Sequence, residues 1–440
     1  MKINQCIFAI VIAASLLGLP LSTSRADRTP VDLLVVYSGH TLGELKPCGC
    51  SKEEDQGGIE RRKSYLNQTM AGGKNTLLVD VGDNFKDPTP QGKIKAKYLM
   101  RSMDLMHYDA MVVGDKDLVY GKGFIQDHRE LPWVSSNMTF ENPLPKVQLK
   151  RYNNGLKIAI LAVSDPKLFY IAEHTDIKVE DPRKTIKNIL PGLLQSEKPD
   201  VVILLAHMHR DDALKLMDIA GIDVFINGHI ETENDTVDMT PVLRGDKILV
   251  QPGAKGQKLG ELRINIDAQA RKTYINRMIK LDSSFKDDGE MVRLYNDYEE
   301  EVEALFMASL ATKRNNGQNK KVYATDTACM ACHAENHGKW LASQHAKAYS
   351  TLLRVNKAFD PECLVCHTTG FNKPGGFISE IDTPELKNVQ CEVCHGPGLK
   401  HTEAPEPGFG RQAKEACQQC HVKSHSPRFN YRDYWPRIKH

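Results

Sequence analysis

The chain has 440 residues, of which 41% are hydrophobic and 26% are charged, a composition typical of a globular protein of two or three domains. Its 58 basic and 56 acidic side chains nearly balance, which argues against a nucleic-acid partner. Evidence for what the chain binds must therefore come from its sequence motifs and not from its net charge.

The first 26 residues predict a cleaved export signal. Lys2 gives a positive start, Ile7 to Leu21 form a short apolar run, and Ser24-Arg25-Ala26 match a small-x-small cleavage site. A membrane anchor is the alternative, but the run is short and is interrupted by polar and helix-breaking residues. We expect an exported or periplasmic protein that has no integral membrane segment after cleavage behind Ala26.

From Val31 to about Leu281, short apolar runs alternate with amphipathic stretches, which predicts a layered α/β domain. Strands are predicted at Asp32–Tyr37, Thr76–Val81, Ala110–Val113, Lys157–Val163, Val201–Ala206 and Asp223–Asn227. Helices are predicted at Gly58–Met70, Lys93–Met106, Asp181–Gln195 and Asp211–Ile219. Polar and apolar residues alternate later in the domain, which predicts closing antiparallel strands at Ile248–Val250, Leu259–Ile266 and Lys272–Ile279.

A long charged helix is predicted from Asp287 to about Lys313, followed by a polar stretch that ends at Lys321. We place a domain boundary there, because strand patterns then vanish and Cys, His, Gly and Pro dominate. The predicted organisation is an export signal at 1–26, the α/β domain at 27–285, a helical linker at 286–321 and a mainly α-helical second domain at 322–440.

Four copies of Cys-x-x-Cys-His lie in the second domain, and each is the attachment signature of a c-type haem. Their cysteines are Cys329, Cys332, Cys363, Cys366, Cys391, Cys394, Cys417 and Cys420, and their proximal iron ligands are His333, His367, His395 and His421. Zinc is the rival interpretation, but a zinc site does not need a histidine after every second cysteine. Four covalently bound haems would also supply the core that this region lacks.

Each iron has a second face that another histidine can occupy, and the candidates for this distal position are His345, His401, His337 and His425. His337 and His425 follow a proximal histidine by four residues, so either would serve a neighbouring haem. His440 is disfavoured as a ligand. The alternative for each of these residues is a solvated or propionate-contacting histidine.

Part of the second domain closely resembles the tetrahaem cytochrome c family of ammonia-oxidising bacteria. The similar segments are Trp340 to Ala346, the next Cys-x-x-Cys-His with its Thr-Gly and Gly-Gly-Phe, and Val389 to His401. The resemblance covers roughly residues 322–425 and implies closely packed haems that pass electrons along. It places His345 and His401 at distal-ligand positions. It also implies redox partners, such as periplasmic or membrane cytochromes or quinol-linked complexes.

The α/β domain resembles the metallophosphoesterase superfamily of the periplasmic 5'-nucleotidase and UDP-sugar hydrolase type. The similar blocks include Ser38–Gly43, Gly57–Arg62, Val81–Phe85, Tyr108–Asp117, Ser135–Asn137, Leu204–His207, Gly221–Asp223 and Gly228–Glu231. The resemblance implies a metallophosphatase-like β-sandwich flanked by helices, with a site for two metal ions.

Several residues depart from the ligand pattern that this resemblance implies. Asp83, His207 and His229 are present, whereas His40, Leu42, Asp115 and Glu231 replace an Asp, a His, an Asn and a His. His40, Asp115 and Glu231 can still bind metal, so we expect one or two divalent ions or a vacant site. Cys48 and Cys50 follow the same strand and could approach the same mouth to add thiolates; the alternatives are a local disulfide or free thiols.

Lys116 stands where the family has its catalytic histidine, and an ammonium is a poor proton donor at neutral pH. We therefore expect an exported tetrahaem cytochrome that transfers electrons, fused to a metallophosphatase-like domain with an altered metal site. The alternatives are a metal-dependent hydrolase of nucleotides or related phosphoesters with an attached haem module, and a multihaem oxidoreductase.

Overall fold

The computed structural model describes residues 29–47, 55–73, 75–86, 88–169, 177–230, 237–315, 321–410, 413–423 and 425–440. The predicted export signal, Cys48, Cys50 and Glu231 lie outside these residues.

Two six-stranded sheets form the body of the α/β domain. The first contains, in spatial order, β14 (Lys272–Lys280), β13 (Lys258–Ile266), β1 (Val31–Ser38), β2 (Asn75–Asp80), β3 (Ala110–Val112) and β4 (Trp133–Val134). The second contains β11 (Val242–Arg244), β12 (Lys247–Val250), β10 (Val224–Asn227), β9 (Val201–His207), β7 (Lys157–Ser164) and β6 (Val147–Arg151). A small pair consists of β5 (Met138–Thr139) and β8 (Lys178–Val179).

Strands β1, β2, β3 and β4 run parallel to one another, as do β7, β9, β10 and β12. Alternate residues of both sheets, among them Val35, Val79, Ile203 and Ile226, are fully buried between the sheets. The opposite side chains are buried beneath helices, which explains why these strands appear in the sequence as continuous apolar runs. The predicted β-sandwich is confirmed.

One strand prediction is wrong in its pairing. The segment Ile248–Val250 was expected to close the domain with antiparallel partners, but β12 lies between a parallel neighbour, β10, and an antiparallel one, β11. All three residues are buried, as in an interior strand of a parallel sheet. The other two closing strands, β13 and β14, are antiparallel as predicted.

Helices cover the outer faces of both sheets. The bounds in the α/β domain are α1 (Ile59–Met70), α2 (Pro90–Met106), α3 (Gly121–Asp127), α4 (Pro182–Glu197), α5 (Arg210–Leu216) and, after the last strand, α6 (Gly289–Asn315). In α6, Met291, Leu294, Tyr298, Val302 and Phe306 are buried against the same cluster as α1 and α2. The helix predicted as a linker therefore also forms part of the outer layer.

The haem-motif region, residues 321–440, is built of short helices, as predicted. They are α7 (Asp326–Met330), α8 (Ala334–Ala342), α9 (Ala348–Arg354), α10 (Pro361–His367), α11 (Cys391–His395), α12 (Leu399–Glu403), α13 (Ala413–Cys417) and α14 (Tyr431–Tyr434). Among its described residues, the only β-type pairing is an isolated bridge between Thr368 and Lys387. Phe359, Phe371 and Phe377 are buried in the cluster that includes α2 and α6, so this region packs directly on the sandwich.

Candidate metal centre and haem-binding region

Polar side chains from both sheets meet where parallel strands end. Asp83 follows β2, Asp115 follows β3, His207 ends β9 and His229 follows β10. The carboxyl ends of parallel strands are the usual place for a binding crevice in a layered α/β fold, because the loops there converge. Ligand atoms of these four residues all lie within 4.8 Å of one another.

The distances within this cluster suit a single metal ion. Nε2 of His207 lies 3.0 Å from Oδ1 of Asp115 and 3.3 Å from Oδ1 of Asp83. Nδ1 of His229 lies 3.3 Å from Oδ1 of Asp115. Two imidazoles and two carboxylates form a donor set that Zn²⁺ and similar divalent ions accept.

The orientation of the two histidine rings also fits a metal ion. Nδ1 of His207 donates to the Val81 carbonyl at 2.8 Å, which fixes the ring so that Nε2 faces the carboxylates of Asp83 and Asp115. Nδ1 of His229 is buried and faces Oδ1 of Asp115 at 3.3 Å and Oδ2 of Asp83 at 3.7 Å. Imidazole nitrogens and carboxylate oxygens that converge in this way are donors that a divalent cation accepts.

The electrostatics of the cluster match its geometry. Burial alone would lower the pKa of His207, but the carboxylates of Asp83 and Asp115 outweigh it and raise the pKa well above its ordinary value. Burial would raise the pKa of Asp83, but His207, His229 and His40 hold it well below its usual range. The site therefore strongly favours positive charge beside ionised carboxylates.

A buried carboxylate that the sequence reasoning missed holds the loop of Asp83 in place. Asp117 accepts the backbone N–H groups of Asp83 at 3.0 Å, Asn84 at 2.8 Å and Gly114 at 2.8 Å. Asp83 itself has a φ of 60°, a conformation that non-glycine residues rarely adopt without such support. The only sequence signal for Asp117 is its place in the same short block as Asp115.

Of the other predicted ligands, His40 lies beside the cluster and not within the four-donor group. Its Nδ1 is 3.2 Å from Oδ2 of Asp83, and its Nε2 is buried without a hydrogen bond to any described residue. Leu42 is buried and offers no ligand atom. Glu231, Cys48 and Cys50 fall outside the described residues, so their predicted roles stay predictions.

His209 is a second residue that the sequence reasoning missed. Its ring meets the ring of His229 edge-on, with centroids 5.0 Å apart. It directly precedes α5, two residues after His207, and packs against a predicted metal ligand. Lys116 contributes its backbone N–H to Oδ1 of Asp83 at 3.0 Å.

The four haem motifs lie close together. Cys329 of the first motif lies beside Cys391 of the third, Cys366 of the second lies beside Cys420 of the fourth, and Cys394 of the third lies beside Cys417 of the fourth. All eight motif cysteines are described, and none of them is in a disulfide. These thiols are partly or fully exposed, so they remain accessible for covalent attachment to a porphyrin.

Three of the four predicted proximal histidines have the same hydrogen-bond arrangement. Nδ1 of His367 lies 2.8 Å from the Ala348 carbonyl, and Nδ1 of His395 lies 2.7 Å from the Gly410 carbonyl. Nδ1 of His421 lies 3.1 Å from the Ser426 hydroxyl. A carbonyl oxygen can only accept, so His367 and His395 donate from Nδ1 and leave Nε2 for a metal, which is the arrangement seen around metal-bound histidines. The residues present therefore fit haem iron.

The predicted distal histidines have different surroundings. His345 faces His421, with ring centroids 6.1 Å apart. His401 stacks on Phe409 at 4.5 Å. Nε2 of His337 lies 3.0 Å from the Asp326 carboxylate, and His425 is exposed on the turn after the fourth motif.

Comparisons with known proteins identify the two parts separately. Residues 328–396 match the family model of cytochrome c554 and c-prime. The chain is 34% identical over 85 residues to cytochrome c-554 of Nitrosomonas europaea, which covers 16% of this chain and 36% of that protein. It is 22% identical over 344 residues to the trifunctional nucleotide phosphoesterase YfkN of Bacillus subtilis, covering 68% of this chain and 22% of that protein. A 5'-nucleotidase precursor from Thermus thermophilus has a similar fold, with a TM-score of 0.55 at 18% identity over 67% of this chain and 61% of that one.

Both predicted resemblances are confirmed. The chain joins an α/β domain with a 5'-nucleotidase-like metallophosphatase fold to a region that matches cytochrome c554, and a cytochrome c match indicates covalently bound haem. The chain spans only 36% and 22% of the lengths of the two relatives named above, so their activities do not define its own. Among the described residues, no helix is both long and apolar enough to cross a membrane.

Proposed function

We propose that this protein is an exported tetrahaem c-type cytochrome that transfers electrons and holds one divalent metal ion in its metallophosphatase-like domain. The observation that carries the proposal is the set of four Cys-x-x-Cys-His motifs, three of whose histidines are oriented through Nδ1. Bound haem supplies one-electron chemistry. The chain supplies the thiols, the iron ligands and the packing that fixes the spacing between motifs.

The contacts between the two parts support a joint role. Lys95 of α2 pairs with Glu362 at 2.5 Å, and Glu362 is adjacent to Cys363 of the second motif. Lys95 also lies beside Gly43, three residues after His40, at the metal centre. One lysine thus links the loop at the metal site to a predicted haem-attachment helix. This ion pair holds the second haem motif against the outer helix of the sandwich.

The haem count tests the proposal directly. The pyridine haemochrome spectrum and the intact mass of the mature protein should give four haems per chain, and the mass should place the new amino terminus at residue 27. Replacing Cys417 and Cys420 with serine should lower the count to three, because a haem needs its thioether bonds to stay attached. Replacing Cys48 and Cys50 with serine is the matched control and should leave four. Zinc in place of haem would overturn the proposal.

The metal site is tested by elemental analysis of the purified protein. We expect one divalent ion per chain, and none after Asp115→Ala or His207→Ala, since each removes a ligand from the four-donor cluster. His40→Ala is the matched control and should retain the ion, because His40 lies outside that cluster. Loss of metal in the His40 variant, or two ions in the wild type, would contradict a four-ligand single-metal site.

The redox partners we propose are periplasmic or membrane cytochromes or quinol-linked complexes. This choice follows from the tetrahaem resemblance and from the proposed export. Rapid mixing of the reduced protein with a soluble c-type cytochrome should show electron transfer that slows with added salt where charged surfaces meet.

A second candidate function is metal-dependent hydrolysis of phosphoesters. The convergence of Asp83, Asp115, His207 and His229 favours it, because metal ions polarise phosphoryl oxygens and activate water. The test is turnover of 5'-nucleotides and of a chromogenic phosphomonoester with zinc, manganese or magnesium added. Absence of turnover with all three metals excludes this candidate and leaves electron transfer in place.

A further inference from the structure

His440 lies against a predicted proximal histidine, although its place in the sequence disfavoured it as a ligand. Its ring centroid is 5.6 Å from that of His395, and the two ring planes make an angle of 57°. An imidazole nitrogen binds a metal at about 2 Å, so two imidazoles on opposite faces of one iron have centroids about 6 Å apart. The pair formed by His345 and His421 has nearly the same spacing, 6.1 Å.

The hydrogen bonds of both rings suit coordination through Nε2. Nδ1 of His440 lies 3.0 Å from the Ile438 carbonyl, and Nδ1 of His395 lies 2.7 Å from the Gly410 carbonyl. A carbonyl oxygen can only accept, so each Nδ1 carries its proton and each Nε2 presents a lone pair. Both rings therefore have Nε2 available for coordination, with their centroids 5.6 Å apart.

The segment that carries His440 is anchored near a second haem motif. Tyr434 meets the ring of His421 edge-on at 5.8 Å and that of Phe429 at 5.2 Å. Trp435 stacks on Tyr431 at 5.4 Å. The segment therefore runs from the fourth motif to the third and brings His440 to His395.

In two of the other candidate histidines, the hydrogen bonds leave Nε2 less available to coordinate iron. Nδ1 of His401 accepts the Glu406 N–H at 3.4 Å, which places the proton on Nε2. Nε2 of His337 is bonded to the Asp326 carboxylate at 3.0 Å. Neither arrangement leaves Nε2 as an acceptor.

We propose that His440 is the sixth ligand of the haem iron whose proximal ligand is His395. This inference rests on the haem attachment proposed above. It makes that haem six-coordinate, with an imidazole on each face and no open position for a small ligand. Such a centre is low-spin and has a lower reduction potential than a His/Met site.

The test compares the full-length protein with the His440→Ala variant by electron paramagnetic resonance and by carbon monoxide titration of the reduced form. The variant should keep four haems while one haem changes from low spin to high spin, and one more carbon monoxide should bind per chain. Added imidazole should restore the low-spin signal. Lys439→Ala is the matched control and should behave as the wild type.

Four haems with an unchanged spin state in His440→Ala would overturn the inference while leaving the proposed function intact. If the alanine variant loses a haem, His440→Met decides the matter, because methionine can bind iron and should raise the potential of one haem. An unchanged set of potentials in the methionine variant overturns the inference. Fewer than four haems in the wild type would instead overturn the proposed function.

Discussion

Lys95 and Glu362 form an ion pair of 2.5 Å that joins the outer helix α2 of the sandwich to the residue before Cys363. Only 19% of the Lys95 side chain is exposed, whereas 51% of Glu362 is exposed. Burial alone would lower the pKa of Lys95, but Glu362 outweighs it with help from Tyr298 and Glu44, and the pKa is raised. The lysine therefore stays charged at the boundary between the two parts.

We expect Lys95→Ala to lower the free energy of unfolding by about 1–2 kcal/mol, since it removes the partner of Glu362 and the strongest of three lysines that act on the enclosed Glu44. Lys97→Ala is the matched control on the same helix. Lys97 pairs with Glu301 at 2.6 Å, but its side chain is 45% exposed, so its loss should cost below about 1 kcal/mol. Urea denaturation followed by circular dichroism measures both, and equal losses would show that burial of Lys95 does not matter.

Gly228, directly before His229, has no space for a side chain. A Cβ there would lie 1.9 Å from the Val81 carbonyl oxygen, the atom that also accepts from His207. We expect Gly228→Ala to push β10 from β2, to cost about 3 kcal/mol or more, and to release the metal. Thermal unfolding and elemental analysis measure the two effects.

Gly192 inside α4 provides the control for this substitution, since nothing lies within 4 Å of a Cβ built there. Gly192→Ala should stabilise the protein by roughly 0.5–1 kcal/mol, because alanine has the higher helix propensity. A Gly228 variant that retains its metal and its melting temperature would show that the loop of His229 can move aside at little cost.

Protons and a metal ion compete for the same atoms at the candidate metal centre, which gives the site a defined pH dependence. The pKa of His207 is higher in the folded, metal-free protein than in the unfolded chain, where it is about 6.5. The stabilisation that results is complete at pH values below about 6.5 and is lost as the pH rises through the folded-state pKa. The lowered pKa of Asp83 stabilises the folded protein at pH values above about 3.9, the pKa of an aspartate in the unfolded chain. This stabilisation is lost only as the pH falls towards the folded-state pKa of Asp83.

A divalent ion must displace the proton on His207, so its affinity should rise about tenfold for each unit of pH while one proton is released. The increase in melting temperature that added zinc gives over chelator-treated protein should therefore grow between pH 5.5 and pH 8. Differential scanning calorimetry at several pH values measures it. His207→Ala should abolish the dependence, and an increase that does not change with pH would contradict proton competition.

Lys116 offers a test of the hydrolytic alternative. It starts a 3₁₀ turn, Lys116–Leu118, directly after Asp115, and its backbone N–H already contacts Asp83. We expect weak phosphomonoesterase turnover in the wild type and an increase of about 10²-fold in Lys116→His, because an imidazole can donate a proton near neutral pH. Lys116→Ala removes the ammonium group without adding an imidazole, so it shows how much of the change in rate comes from each. Equal rates in all three proteins would mean that this position does not contact the leaving group.

The strands that the sequence predicted best are those buried on both faces. The runs in β1, β7 and β9 are long, apolar and rich in Val and Ile, so their bounds are right to within one or two residues. The two-residue strands β4, β5 and β8 were not predicted, because so short a segment shows no alternation. The parallel pairing of β12 depends on contacts distant in sequence and was missed for that reason.

The ligands of the candidate metal centre were predictable from the sequence, whereas the residues that hold those ligands in place were not. Asp83, His207 and His229 were identified from a resemblance between motifs, whereas Asp117 acts by accepting backbone N–H groups that no motif encodes. The contact between His440 and His395 was missed because it depends on how residues 431–437 pack. Sequence spacing gives no information on which ring a distant histidine will face.

The cluster shared by α2, α6 and the haem-motif region sets an order for biogenesis. Phe359 and Phe377 are buried with Tyr298 and Phe306, so the outer helices of the sandwich remain uncovered until this region folds. The region in turn has little apolar core of its own before its porphyrins are attached. We therefore expect the haem-free chain to expose this cluster and to be cut by proteases more readily than the haem-loaded protein.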